Sequence, residues 1–296
     1  MNSSYYDFAI IGGDKRQIFM ADEFIARKYS VITYGLPDSV LDPSCKVADS
    51  LEDAVTSSQI ILTPIPVSKD GKKIIAQNPK SDLTLKQLIH FLTAGQKLFG
   101  GCLTQDLIKS CENKNVYYLD FMEQEEIILF NTIATAEGTI AEAILNSNTN
   151  LHGSSCLILG FGRCGRTLAE KLKGLCQKVD IAARSSLALA AANASSFGTV
   201  FLSELSEKIG LYDYIFNTIP SLIITKELLL KTKPNVVIID IASAPGGVDF
   251  TASEELHRNA KLCLGLPGKY APKASADFLV NYLLTLLERS DSYVFA

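Results

Sequence analysis

Histidine is scarce in this sequence, three in 296 residues, and none stands in a catalytic arrangement. His90 falls in a helical stretch, His152 in a turn before a strand, and His257 in a surface helix predicted over 253–259. No Ser/His/Asp order and no metal-ligand spacing accompanies them, so triad hydrolysis and zinc chemistry are not expected. Seven cysteines (Cys45, Cys102, Cys111, Cys156, Cys164, Cys176 and Cys263) give an odd count with no CxxC pair or Cys/His cluster. They read as small buried hydrophobes in a reducing compartment, not as disulfides or zinc ligands. An excess of one charge is also missing. With 28 basic and 32 acidic residues the net charge is -4, which offers no electrostatic footprint for nucleic acid. The apolar runs, such as 236–239, have strand length, so no membrane span is expected. The first residues (MNSSYYD) lack the basic and apolar regions of a signal peptide, and a cytoplasmic location is expected.

What is present is an α/β pattern. Hydrophobic residues make up 47% and charged residues 20%, a globular balance, and the length suits two domains of ordinary size. The apolar run 8–11 ends at Gly12 and Gly13; a helix over 16–28 and a strand over 30–34 complete a β-α-β unit. Strands at 59–63, 97–99 and 116–119 alternate with helices at 51–57, 85–94 and 104–111. A helical region, 123–146, then links to a second β-α-β start, with strands at 156–159 and 178–183 around a helix at 163–175, followed by a helix at 187–195. Further strands are predicted at 200–202, 214–217, 236–240 and 262–265. A last helix, 275–289, is placed to return to the first domain. The expected architecture is two Rossmann-like, doubly wound parallel-sheet domains. The first would hold 1–130 plus 275–296, a linking helix 131–150, and the dinucleotide-binding domain 151–274.

The chemistry-bearing segment is Gly160, Phe161, Gly162, Arg163, Cys164, Gly165, which matches GxGxxG. Alone the pattern is weak, but here it follows an apolar strand and opens a helix inside a β-α-β unit. The first glycine makes the turn, the second lets backbone approach a pyrophosphate, and the third permits close helix–strand packing. The next strand ends in Arg184, Ser185 and Ser186 where an NAD enzyme would carry an acid; Asp180 stands at the strand's beginning. Arg184 can pair with a 2′-phosphate, which favours NADP with NAD as the alternative. The bland alternative for Arg184 is a solvated surface residue. Thr218 and Pro220 follow one strand and Ala242 the next, on the edge where a nicotinamide would lie. Lys15 and Arg16 after the first strand, and Lys269 and Lys273 before the last helix, are candidates for an anionic substrate. Each taken singly also fits a solvated surface lysine or arginine.

Five segments together resemble a known family, the A subunit of dipicolinate synthase from spore-forming bacteria. They are 11–17 (IGGDKRQ), 134–138 (ATAEG), 159–165 (LGFGRCG), 240–247 (DIASAPGG) and 265–273 (GLPGKYAPK). The layout is also similar to the D-2-hydroxyacid, formate and alanine dehydrogenases. The sequence departs from the hydroxyacid dehydrogenases at their catalytic arginine, where 242–245 stand, and at their catalytic histidine, which has no counterpart. The resemblance implies an oxidoreductase of sporulation acting on a CH–CH group. Dihydrodipicolinate, or its hydroxylated tetrahydro precursor, would be dehydrogenated to pyridine-2,6-dicarboxylate with a nicotinamide as acceptor. It implies a flavoprotein-like B subunit as partner, and a homo-oligomer is expected as well. Arg16 and Lys269 would then suit the carboxylates of the small dicarboxylate, with Lys269 and Glu137 as candidates for proton transfer. The competing readings are an NADP-binding sensing or scaffold subunit without chemistry of its own, and a dehydrogenase of another small acid.

Overall fold

The structure is a computed structural model and describes residues 6–292. The chain divides into two units, Met1–Ile128 with Ala271–Ala296, and Leu129–Tyr270. In the first, the strands are β1 (Tyr6–Ile11), β2 (Val31–Tyr34), β3 (Lys46–Val47), β4 (Ser58–Leu62), β5 (Lys97–Gly100) and β6 (Tyr117–Asp120). They form one parallel sheet in the order β3-β2-β1-β4-β5-β6. The second unit holds β7 (Ser155–Leu159), β8 (Lys178–Ala183), β9 (Gly198–Phe201), β10 (Tyr214–Asn217), β11 (Val237–Asp240) and β12 (Asn259–Leu262). Its order, β12-β11-β10-β7-β8-β9, is the same winding, with the first strand at the centre and the order reversing beside it. Both units therefore have the 3-2-1-4-5-6 order of a dinucleotide-binding fold, whose ligand crevice lies outside the carboxyl ends of the two central strands.

The central strands are apolar on both faces because helices cover both sides. Ala9, Ile10 and Ile11 of β1, and Cys156 through Leu159 of β7, are each at most 1% exposed. The helix Lys15–Ala26 opens on a capping box between Asp14 and Gln17, which satisfies two of the unpaired N–H groups at its start. The helix Pro272–Ser292 packs on that helix in the first unit, setting Ala276, Leu279, Val280 and Leu283 against a core that includes Met20 and Phe24. Burying four such side chains stabilises by roughly 1.5–3 kcal/mol for each large one.

Several expectations are corrected. The last strand is 259–262, not 262–265, because its register pairs Asn259 with Val237 and Leu262 with Asp240. The apolar run that follows leads instead into the short helix Leu266–Tyr270. His257 is not on a helix: Asp249 caps a helix that ends at Glu255, and His257 turns the chain at φ 51°. The last helix starts at Pro272, whose missing N–H costs nothing in the first turn, so Lys273 is helical. One element exceeds the strand-length apolar runs expected: Glu125–Leu145 is a helix long and apolar enough to cross a membrane by length and composition. It is a single element, counted with the second unit from Leu129 on, and Ala136 and Ala143 lie in that unit's core. The cysteines are not uniformly buried either, since Cys102 is exposed and Cys164 and Cys176 are half-buried.

Candidate functional site

β7 delivers the chain to Gly160 at φ 95°, a conformation that suits glycine. A Cβ there would stand 2.5 Å from the Thr218 hydroxyl oxygen, and one on Gly165 would stand 2.4 Å from the Gly160 carbonyl oxygen. These two glycines let strand, turn and helix close on one another. Gly162 differs: nothing lies within 4 Å of its Cβ position. It is the N-cap of the helix Arg163–Leu172 and supplies no side-chain cap. The helix start therefore presents backbone N–H groups and the positive end of its dipole to an open space that a side chain would fill, which fits the pyrophosphate of a dinucleotide.

A cavity of about 300 Å³ continues from this turn, lined by Gly160, Arg184, Ser185, Leu202, Ile219 and Ser221 among others. Arg184 and Ser185 are exposed at the carboxyl end of β8. The Ser185 hydroxyl oxygen accepts from the Ala188 N–H at 3.3 Å and so caps the helix Ser186–Ala194. Ser186 is the exposed first residue of that helix. Within the glycine segment, Arg163 is exposed and Cys164 half-buried. The ring of Phe161 is turned into the core against Phe197, leaving its backbone to the turn. Arg166, which carries no signal in the glycine pattern, donates to the Phe161 carbonyl at 3.1 Å and lies over its ring.

The far side of the crevice is organised by two residues that only the register brings together. Asn217 and Asp240 end β10 and β11 side by side, both fully buried. Asn217 donates to the Asp240 carboxylate at 2.9 Å and to the Ile219 carbonyl at 3.0 Å. The same carboxylate accepts from the N–H groups of Ala242 at 2.9 Å and Gly247 at 2.6 Å. One buried pair thus fixes both loops, 218–221 and 242–247. Thr218 donates to the Leu159 carbonyl at 2.8 Å, tying the first loop to the end of β7. Pro220 is exposed and Ala242 buried. Replacing Asp240 with alanine is expected to release both loops and leave the Asn217 amide short of a buried partner. About 1–3 kcal/mol of stability would be lost, read as a lower melting temperature.

The first unit has the same winding but not the same opening. The N–H of Gly13 donates to the Ile75 carbonyl at 2.7 Å, and Gln77 donates back to Gly13 at 3.1 Å. A Cβ on Gly12 would meet the Ile75 carbonyl oxygen at 2.4 Å. The chain's own 74–78 segment thus closes on this glycine pair, whereas no described residue lies within 4 Å of the Gly162 Cβ position in the second unit.

The remaining candidates are placed as follows. Arg16 is buried, with its guanidinium on the Asp14 carboxylate at 2.8 Å and on the Ile65 carbonyl. Burial pushes the Asp14 carboxyl up, but the bonds from Arg16 outweigh it and hold that group below its usual range. Lys15 is exposed at the first position of the same helix. Lys273 is exposed and pairs with Asp277 one turn on, at 2.9 Å. Glu137 is exposed and pairs with Lys171 at 2.8 Å. Lys269 is bound to Glu142, a buried carboxylate that also takes Lys261 at 2.8 Å and the Tyr270 hydroxyl at 2.8 Å. The hydrogen bond to Glu142 raises the Lys269 pKa and so favours its charged form in this arrangement. No cluster of three or more metal-ligating side chains occurs among the described residues.

The comparisons with known proteins divide at the same place as the fold. Residues 7–122 match the family model for the N-terminal domain of the dipicolinate synthase A subunit. Residues 130–248 match the D-isomer specific 2-hydroxyacid dehydrogenase NAD binding domain. The A subunit of dipicolinate synthase from Bacillus subtilis (strain 168) is 32% identical over 283 residues, covering 94% of this chain and 95% of that protein. The crystal structure of the dipicolinate synthase A subunit from Bacillus halodurans superimposes with a TM-score of 0.83 at 28% identity, covering 97% of this chain and 99% of the other. That of its counterpart from Bacillus subtilis gives 0.84 at 28% identity, covering 98% of each.

Proposed function

Since this chain belongs to the family of dipicolinate synthase A subunits, we propose that it makes dipicolinate. In this reading it dehydrogenates dihydrodipicolinate, or its hydroxylated tetrahydro precursor, to pyridine-2,6-dicarboxylate, using NADP in the cytoplasm of the sporulating mother cell. The observation that carries the reading is the open Gly162 position at the start of the helix Arg163–Leu172, beside the Arg184 cavity. A bound nicotinamide dinucleotide would supply the two-electron acceptor. The protein's own contribution is positioning. Gly160 and Gly165 shape the turn, the helix start binds the pyrophosphate, Arg184 takes the 2′-phosphate, and the Asn217–Asp240 pair holds the loops that flank the crevice. Aromatisation of the product ring supplies driving force, so a strong base is less needed than for an alcohol. Lys15 and Lys273, both exposed, are assigned to the substrate carboxylates, and a B subunit is the partner.

Replacing Arg184 with alanine is expected to weaken NADP binding by about 10- to 100-fold, the range of one or two charge-assisted hydrogen bonds. NAD binding should change by no more than about twofold. Titration calorimetry with both cofactors reads the difference, and an equal loss for both would remove Arg184 from the 2′-phosphate. The reaction itself is tested by reconstitution. Freshly generated precursor is supplied with NADP or NAD, with and without the B subunit, and reduced nicotinamide and dipicolinate are followed together. Stoichiometric appearance of both is the expected result. Dipicolinate without nicotinamide reduction, or neither product, would rule the reading out.

A second reading, in which this chain binds NADP while its partner does the chemistry, is favoured by one observation. Both proton-transfer candidates, Lys269 and Glu137, are engaged in ion pairs within the second unit. In that case the chain binds NADP but yields no product alone.

A further inference from the structure

Two of the seven cysteines meet in the second unit. Cys156, the second residue of β7, and Cys176, in the segment between the helix Arg163–Leu172 and β8, place their sulfurs 3.2 Å apart. Cys156 is fully buried and Cys176 half-buried, so Cys176 is the outer member of the pair. Cys156 donates to the Cys176 sulfur, and Ser154 lies 3.6 Å from Cys156. The donated bond pushes the Cys176 thiol down and the same contact, with burial, pushes Cys156 up. Burial pushes up the two other accessible thiols, Cys102 and Cys164. Cys176 is therefore the accessible cysteine best supplied with thiolate, the nucleophilic form.

We propose that Cys156 and Cys176 form an oxidation site, a dithiol that a peroxide converts into an intrachain disulfide. The Cys176 thiolate attacks one peroxide oxygen, giving a sulfenic acid and releasing hydroxide. The Cys156 sulfur then attacks the Cys176 sulfur, and the sulfenic oxygen leaves as water. Two thiols are oxidised by two electrons, and one peroxide is reduced to two waters. The sulfurs must close by about 1.2 Å to reach bonding distance. Cys176 can supply that movement because it lies in an irregular segment whose Gly174 has nothing within 4 Å of its Cβ position. The bond would close the crossover 156–176, which contains the whole glycine turn and its helix. It would do so from the start of β7, whereas Gly160 follows the strand's other end, about 13 Å away. Oxidation thus staples the dinucleotide-binding crossover without filling the turn itself.

The test uses the full-length reduced protein, treated with a small excess of hydrogen peroxide, quenched in acid, alkylated in denaturant and mapped without reduction. Two of the seven cysteines should escape alkylation. One species should join the peptides of Cys156 and Cys176, lighter by the two hydrogens lost. The melting temperature should rise by about 5–10 °C, as expected for closing a loop of about 20 residues in a domain of this size. In Cys176→Ser, a half-buried and conservative change, neither the cross-link nor the rise should appear; Cys156→Ala serves as the second variant. Recovery of Cys176 as a sulfinic acid with Cys156 still free would overturn the proposal. So would cross-links running through Cys102 or Cys164, or an equal rise in the Cys176→Ser protein.

Discussion

Gly162→Val is expected to abolish dinucleotide binding, raising the dissociation constant at least about 100-fold, while leaving the fold intact. The reason is the asymmetry among the three glycines. Around the Gly162 Cβ position nothing lies within 4 Å, so the added branch point starts in open space. The backbone at this N-cap is extended, with φ -80° and ψ -164°, which valine adopts readily. The exchange at a helix N-cap costs about 0.5–1 kcal/mol at most. A phosphate oxygen, however, must come within about 2.9 Å of the helix-start N–H groups, and the added methyls stand in that path. Gly165→Ala is the contrasting control. Its Cβ would stand 2.4 Å from the Gly160 carbonyl oxygen, a collision with backbone that cannot be relieved by a rotamer change. That variant should lose about 1–3 kcal/mol of stability by overpacking. Thermal melts and calorimetric titration together separate the two. If Gly162→Val binds NADP and NAD as the native chain does, the glycine turn is not the pyrophosphate site.

Glu142→Gln is expected to destabilise the second unit by about 2–3 kcal/mol at neutral pH, lowering its melting temperature by several degrees. Glu142 lies on the helix Glu125–Leu145 with its side chain 2% exposed, and two lysines and a tyrosine converge on it. Removing one partner of such a buried pair commonly costs about 3–5 kcal/mol, but Lys261 and Lys269 are about half exposed, so water recovers part of the loss. Burial alone would raise the carboxyl; the bonds from Lys261, Lys269 and Tyr270 outweigh it and bring the pKa down to about 2 from an ordinary 4.5. A carboxyl depressed in the folded state stabilises fully above its unfolded pKa. That contribution is lost as pH falls from about 4.5 through about 2. The native and Glu142→Gln proteins should therefore differ most in melting temperature near pH 7 and converge toward about pH 2. A difference that stays constant across this range would show that Glu142 contributes through shape and not through charge.

The same cluster shows why the substrate side is harder to read along the chain than the cofactor side. Lys269, in a glycine- and proline-flanked segment, has the local look of an anion-binding loop. Its partner stands 127 positions earlier on another helix, and no spacing rule connects them. Arg16 likewise follows a strand and a glycine pair, as a phosphate-binding residue would. What holds it is the neighbouring Asp14 together with the Ile65 carbonyl, and only the second of these, brought up by the 65–78 segment, is invisible to local spacing.

Features whose physics is local are legible along the chain. Unbroken apolar runs bounded by glycine predict buried parallel strands, and a strand–GxGxxG–helix order specifies a turn that opens a helix start. Strand β8 and strand β10 fall at the positions their patterns predict, 178–183 and 214–217. Tertiary structure alone decided matters that depend on which strands become neighbours. The register puts Asn217 beside Asp240, and the crossover brings Cys176 to Cys156. Residues 74–78 close on the glycine pair after β1 and leave the turn after β7 open at Gly162. Side-chain pairing across a sheet or a helix interface is set by packing of the whole unit, and a single chain read along its length carries no signal for it.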